Sequence, residues 1–235
     1  MKNFAVIGLG QFGSQIAISL TQKGFDVLGI DTSSTVINEL KELITRAVIL
    51  DATDESAMRA MNLDTFDKLV VAIGSNVQDS LLTVALLQKL GIDHEDIYVR
   101  AIDPLQEGIL KSMGIKNILN IEMEMGRQVS VQLSSGKIGR YINISENHSL
   151  TEVNLPKSLV GRTLKELNVR AKYKVNIVGI KQLKPTVEDD GEVHYHMSMT
   201  DVPNPNYPLQ ATDVLVLVGT DEHIDGFIRL GGEDD

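Results

Sequence analysis

The chain has 235 residues, 43% of them hydrophobic and 23% charged, with a formal net charge of −10 and no cysteine. This composition excludes fibrous and disordered chains, disulfide scaffolds, thiolate metal sites and cysteine nucleophiles, and without a basic stripe the acidic balance argues against a nucleic-acid partner. No apolar run approaches the ~20 residues that span a bilayer and no charged-then-apolar leader precedes the first strand-like segment, so a soluble, cytoplasmic chain with room for two hydrophobic cores is expected.

From Lys2 to about Asn120, short runs of branched aliphatics alternate with amphipathic stretches, the pattern of successive strand–helix units. The expected strands are Asn3 to Gly8, Asp26 to Asp31, Ala47 to Leu50, Lys68 to Ile73, Ile97 to Ala101 and Asn117 to Asn120. They are apolar on both faces, as parallel strands sandwiched between helices should be. Phe12, Ile16, Ala17 and Leu20 fall at helical spacing, as do Val36, Ile37, Leu40 and Leu43, then Leu82, Leu86 and Leu90. Gly24, Gly91 and Gly114 stand where helices should end, and Asp103-Pro104 reads as an N-cap followed by proline in the first turn. The fold class that follows is α/β, with a Rossmann-like doubly wound parallel sheet over residues 1–120.

Residues 121–138 carry an apolar stripe, Met125, Val129 and Leu133, ended by Ser134-Ser135-Gly136. Two readings fit: a crossover helix and linker into a second domain, or a last helix packed on the first sheet. Residues 139–235 are expected to form a small α+β module. Its strands are Tyr141 to Ser145, Leu150 to Leu155, Lys174 to Lys181 and Asp213 to Gly219, with short helices near Thr163 to Leu167 and Asp221 to Leu230. The polar segment at about 183–210 contains Pro185, Pro203, Pro205 and Pro208 and shows no sustained period, so a long surface loop is expected, with a hairpin as the alternative.

The chemistry concentrates in the first half. Gly8-Leu9-Gly10-Gln11-Phe12-Gly13 follows the first strand and opens the first helix, the one context in which a GxGxxG run has meaning. Gly8 makes the tight turn, Gly10 lets a pyrophosphate approach the backbone, Gly13 allows close helix–strand packing, and the helix N-terminus faces the phosphates. Asp31, at the end of the second strand and followed by Thr32, stands where an acid accepts hydrogen bonds from a ribose diol, which favours a free 2′-hydroxyl over NADP. The competing role for Asp31 is a plain helix cap. The other strand ends add Asp51-Ala52-Thr53, then Ile73-Gly74-Ser75-Asn76, and Arg100, a set suited to adenosine and phosphate. The residues four places after Tyr98, Tyr141, Tyr173, Tyr195 and Tyr207 are Ile102, Ser145, Ile177, Met199 and Ala211, so the Tyr–Lys pair of short-chain dehydrogenases is missing. His194 and His196 flank Tyr195 and would share one side of a strand, without a third metal ligand in view. The leading expectation is a nucleotide that is sensed and not consumed; an NAD-dependent oxidoreductase with a small second domain is the alternative.

These residues, together with Asp51-Ala52-Thr53-Asp54, Val71-Ala72-Ile73-Gly74, Val99-Arg100-Ala101, Ile121-Glu122-Met123-Glu124-Met125-Gly126 and Leu167-Asn168-Val169-Arg170-Ala171-Lys172-Tyr173, resemble the RCK (regulator of K+ conductance) family, in particular its Trk/Ktr-type potassium-uptake subunits. The resemblance covers nearly the whole chain and implies an RCK_N followed by an RCK_C domain, with about 183–210 as a divergent insertion. It implies a non-enzymatic gating subunit that assembles as a dimer and then an octameric ring on the cytoplasmic face of a membrane-embedded potassium channel or transporter, and changes shape with the adenine nucleotide bound. Gln11 stands where many ATP-responsive members have arginine, and members with glutamine there resemble NAD(H) binders, so NAD(H) and ATP/ADP both remain open. Glu122 matches a glutamate that binds a divalent cation at the nucleotide-loaded dimer interface, its other reading being a charged helix-start residue. Arg170 and Asn176 match positions where some members bind cyclic di-AMP between two RCK_C domains; Arg170 reads equally well as a structural ion-pair partner.

Overall fold

The computed structural model describes residues 2–135, 138–187 and 193–229. The chain separates into two compact units, Met1–Glu124 and Met125–Asp235.

In the first unit six strands alternate with helices: β1 (Asn3–Ile7), α1 (Gln11–Gln22), β2 (Asp26–Asp31), α2 (Ser34–Leu40), β3 (Arg46–Ile49), α3 (Glu55–Ala60), β4 (Lys68–Val71), α4 (Val77–Lys89), β5 (Ile97–Arg100), α5 (Pro104–Ser112) and β6 (Asn117–Leu119). The sheet order is β3-β2-β1-β4-β5-β6 and every pairing is parallel, the doubly wound arrangement expected from the sequence. Side chains alternate across the sheet. Ala5, Ile7, Leu28, Ile30, Leu69 and Val71 join Met58 of α3, Val84 and Leu87 of α4 and Leu110 of α5 in one core. Val6, Val27 and Val70 join Ala17 of α1 and Ile37 and Leu40 of α2 in the other. Both faces of the central strands are therefore buried, which is why their interior positions are apolar.

The helix α6 (Ile121–Ser135) follows, and the division between units falls within it, after Glu124. Its expected end at Gly136 and the linker to residue 138 lie partly outside the described residues. The second unit continues with β7 (Ile138–Ser145), β8 (His148–Asn154), α7 (Leu164–Leu167), α8 (Val169–Tyr173), β9 (Asn176–Val187), β10 (Val193–Thr200), β11 (Val214–Thr220) and α9 (Asp221–Arg229). Its sheet, ordered β10-β9-β11-β8-β7, is antiparallel throughout. Val153, Ile180, Leu215 and Leu217 pack with Leu167, Val169, Ile224 and Phe227 in one core, and Tyr173 meets Phe227 edge-on at 5.5 Å. A reciprocal capping box, in which the Thr163 hydroxyl accepts from the Glu166 N–H and the Glu166 carboxylate from the Thr163 N–H, starts α7.

The segment at 183–210 departs from the expected surface loop. β9 runs on to Val187 and β10 returns along it, with Met197 opposite Leu183 and Tyr195 opposite Pro185; residues 188–192 lie outside the described residues. Pro185 is tolerated because β11 pairs with β9 only over Asn176–Lys181, which leaves the outer half of β9 a free edge where no N–H is needed. Among the described residues no helix is long and apolar enough to cross a membrane.

Candidate functional site

The parallel sheet brings the C-terminal ends of its strands to one edge, and there the loops enclose a cleft of about 290 Å³. Of the residues expected at a nucleotide site, Gly8, Gly10, Asp31, Thr32, Asp51, Ala52, Ile73, Gly74, Ser75 and Arg100 line it. Leu9, Gln11, Phe12, Gly13 and Asn76 do not. Leu9 and Phe12 pack into the core beneath α1 and α2, Gln11 is exposed, and Gly13 lies buried against the backbone of Gly8.

Each glycine has its own reason. Gly8 adopts φ +88°, and a Cβ there would meet the Ile73 nitrogen at 2.9 Å. A Cβ on Gly13 would stand 1.9 Å from the Gly8 carbonyl oxygen, so helix and strand approach this closely only through glycine. Gly10 has open space where its Cβ would be, which leaves a ligand free access to its backbone. Gly10 also opens α1 without any side-chain cap. By contrast Ser33, Asp54, Asn76 and Asp103 cap α2, α3, α4 and α5 with their own oxygens. The N-terminal amides of α1 thus keep their positive field for an anion from outside.

Asp31 is not the cap of α2; Ser33 is. Its carboxylate accepts from the Leu9 N–H at 2.7 Å and the Ser33 N–H at 2.8 Å, which ties the glycine turn to the end of β2 at the wall of the cleft. Asp51 accepts from both the hydroxyl and the N–H of Thr53, at 2.7 and 2.8 Å, and these bonds hold its carboxyl below the usual range. Asn76 is spent on capping: its side-chain oxygen accepts from the N–H groups of Gln78 and Asp79.

Arg100 closes the cleft beside Gly74. The glycine makes room for it, since a Cβ there would lie 2.5 Å from Nη1. The guanidinium sits 5.9 Å from the Phe12 ring centre and donates from Nη2 to Glu122, while its Nε is buried without a partner. The Arg100 hydrogen bond, more than any other influence, draws the Glu122 carboxyl below its usual range. Sequence reasoning missed Ile7, Ile30, Leu50, Ala72 and Asp79 in the lining. Asp79, three residues beyond the cap Asn76, had a signal in that capping-box spacing.

The remaining expected sites lie elsewhere. Glu122 is the second residue of α6 and its carboxylate is already paired with Arg100; among the described residues no group of three or more His, Asp or Glu is placed to hold a metal. His196 Nδ1 is instead within 2.8 Å of the Thr186 hydroxyl. Arg170 lies on α8 and Asn176 opens β9, both exposed.

Comparison with known proteins bears on the whole chain. Residues 4–121 match the TrkA-N domain and residues 150–230 the TrkA-C domain. The chain is 36% identical over 226 residues to Ktr system potassium uptake protein C of Bacillus subtilis (strain 168), covering 96% of each chain. It is 33% identical to Ktr system potassium uptake protein A of the same organism, covering 98% of this chain and 97% of that one. Among solved structures, the GsuK channel superposes with a TM-score of 0.68 at 15% identity, over 99% of this chain and 40% of that one. A GsuK channel bound to NAD gives 0.65 at 16% identity, also over 40% of its length. The chain therefore spans about two fifths of the GsuK channel, whose likeness at this identity is one of fold.

Proposed function

The chain belongs to the TrkA-N/TrkA-C (RCK) family, whose Ktr members are regulatory subunits of potassium uptake and not enzymes, and from that premise we propose that it is a nucleotide-sensing regulatory subunit of a potassium uptake system. The observation that carries the sensing role is the cleft itself, in which the uncapped N-terminus of α1, the open backbone at Gly10, the tethered Asp31 carboxylate and Arg100 face one space. The α1 amides take phosphate, Asp31 accepts from the ribose hydroxyls, and the residues about Asp51 and Ser75 receive the adenine. In this reading occupancy acts by favouring one shape of the assembly over another. A ligand does this only to the extent that it binds the two shapes unequally.

In this reading the subunit forms a homodimer and a higher ring, octameric in the family it resembles, on the cytoplasmic side of a membrane-embedded potassium-conducting partner. NAD(H) and ATP/ADP are the candidate ligands, and the NAD carried by one GsuK structure supports a dinucleotide. Cyclic di-AMP at Arg170 and Asn176, and a divalent cation at Glu122 completed by ligands from another subunit, extend the proposal to the second unit and to the interface.

A thermal-shift screen of the intact chain against ATP, ADP, AMP, NAD+, NADH and cyclic di-AMP tests it, because a ligand that prefers the folded state raises its apparent stability. At least one adenine nucleotide should raise the melting temperature, and Asp31→Ala should remove that shift. NADH absorbance should stay constant in the presence of the protein. A chain that no adenine nucleotide stabilises would overturn the proposal.

A further inference from the structure

We propose that Glu122 competes with the bound nucleotide's phosphate for Arg100, and that this competition makes the cleft prefer an adenine nucleotide with a short phosphate chain, such as a diphosphate or dinucleotide, over a triphosphate. The inference rests on the nucleotide reading above and adds the class of ligand and the residue that sets it. Arg100 is the one cationic side chain among the described residues that line the cleft, whereas Asp31, Asp51 and Asp79 are all carboxylates. Each added phosphate charge therefore enters a space where acids outnumber bases three to one.

The single cation is also not free. Arg100 donates to Glu122 from Nη2, while its buried Nε has no partner and the missing Cβ of Gly74 leaves the guanidinium against the cleft wall. A phosphate that takes Arg100 in the usual two-pronged way must draw it at least partly from Glu122, and the carboxylate then repels the incoming charge. The more negative the ligand, the larger that penalty. Glu122 is 48% exposed on the first turn of α6, so its replacement removes the competitor without opening the core.

The test is titration calorimetry of the full chain with adenosine, ADP, NAD+ and ATP in buffer free of divalent cations. The native chain should bind ADP and NAD+ more tightly than ATP. Glu122→Gln should tighten the phosphate-bearing ligands about two- to fivefold, the range that a half-exposed ion pair allows, with the largest gain for ATP and none for adenosine. In an Arg100→Gln background the gain from Glu122→Gln should shrink to what direct repulsion between the carboxylate and phosphate supplies. Unchanged or weaker nucleotide binding in Glu122→Gln, or a gain undiminished without Arg100, would overturn the competition while leaving the nucleotide site intact. Failure of every ligand, adenosine included, to bind the native chain would instead overturn the nucleotide reading and this inference with it.

Discussion

The two sheets of this chain bury themselves in opposite ways, and the parallel one gathers its strand ends around the glycine-turn cleft. The parallel sheet is covered by helices on both faces, and all its strands end at one edge, where the loops after β1, β2, β3 and β4 and the end of β5 line the cleft. The antiparallel sheet reverses direction at each strand, so its loops divide between two edges. Its helices α7, α8 and α9 share a single core with it, while Leu183, Tyr195, Met197 and Met199 of the β9–β10 hairpin remain exposed. Parallel topology thus concentrates strand ends, with their free backbone groups, in one place; an antiparallel sheet of similar size has no such edge.

The most severe way to break this comparison is at Gly13. Gly13→Ala forces a Cβ into backbone that cannot retreat, 1.9 Å from the Gly8 oxygen, and should unfold the first unit or abolish nucleotide binding altogether. Gly10→Ala meets nothing within 4 Å, so it should leave the melting temperature of the free chain nearly unchanged and weaken only the ligand-induced shift. Thermal melts by circular dichroism with and without ADP separate the two outcomes. Equal behaviour of the two variants would mean that the glycine turn is not organised as described.

How much of this could be read from the residues follows from the same contrast. The parallel strands are legible because burial on both faces gives the central ones short apolar runs, and Asp31 is legible because its distance from the glycine turn is set by one strand–helix–strand unit. The helix α3 gives almost no signal: it has six residues and buries only Met58. The β9–β10 hairpin is hidden for a related reason, since both faces of its outer half meet solvent and Pro185 argues against a strand unless the free edge is known. Spacing alone also cannot separate lining from support: Leu9, Phe12 and Gly13 belong to the glycine run yet serve packing, and Asn76 is consumed as a cap.

A smaller effect, confined to the other unit, comes from Phe227→Ala. Phe227 is fully buried and stacks edge-on against Tyr173, so truncation should cost about 3–5 kcal/mol, measured by denaturant unfolding of the second unit. The first unit has its own two cores, so ADP should still stabilise it in this variant. Loss of the nucleotide response together with the second unit's stability would show that the two sheets are not independent in the way their separate cores imply.

The gentlest probe is pH, which distinguishes carboxylates held by a neighbouring cation from those held by backbone. In the first unit Arg100 draws the Glu122 carboxyl below its ordinary value of 4.5; in the second, the Thr163 N–H, aided by the Thr163 hydroxyl, does the same to Glu166. A folded-state value below the unfolded one contributes stability that is complete above the ordinary glutamate range and is lost as pH falls through the lowered folded value. Both groups are exposed enough that solvent screens them, so the change in stability should be slight. Carboxyl-carbon NMR titration reads the midpoints directly. Arg100→Gln should bring Glu122 back towards 4.5 and leave Glu166 and Asp51 where they are, because Thr163 and Thr53 hold them without help from the cleft's arginine. A Glu122 midpoint that ignores Arg100→Gln would mean that the pair does not persist in solution, and the phosphate would then meet an arginine with no rival.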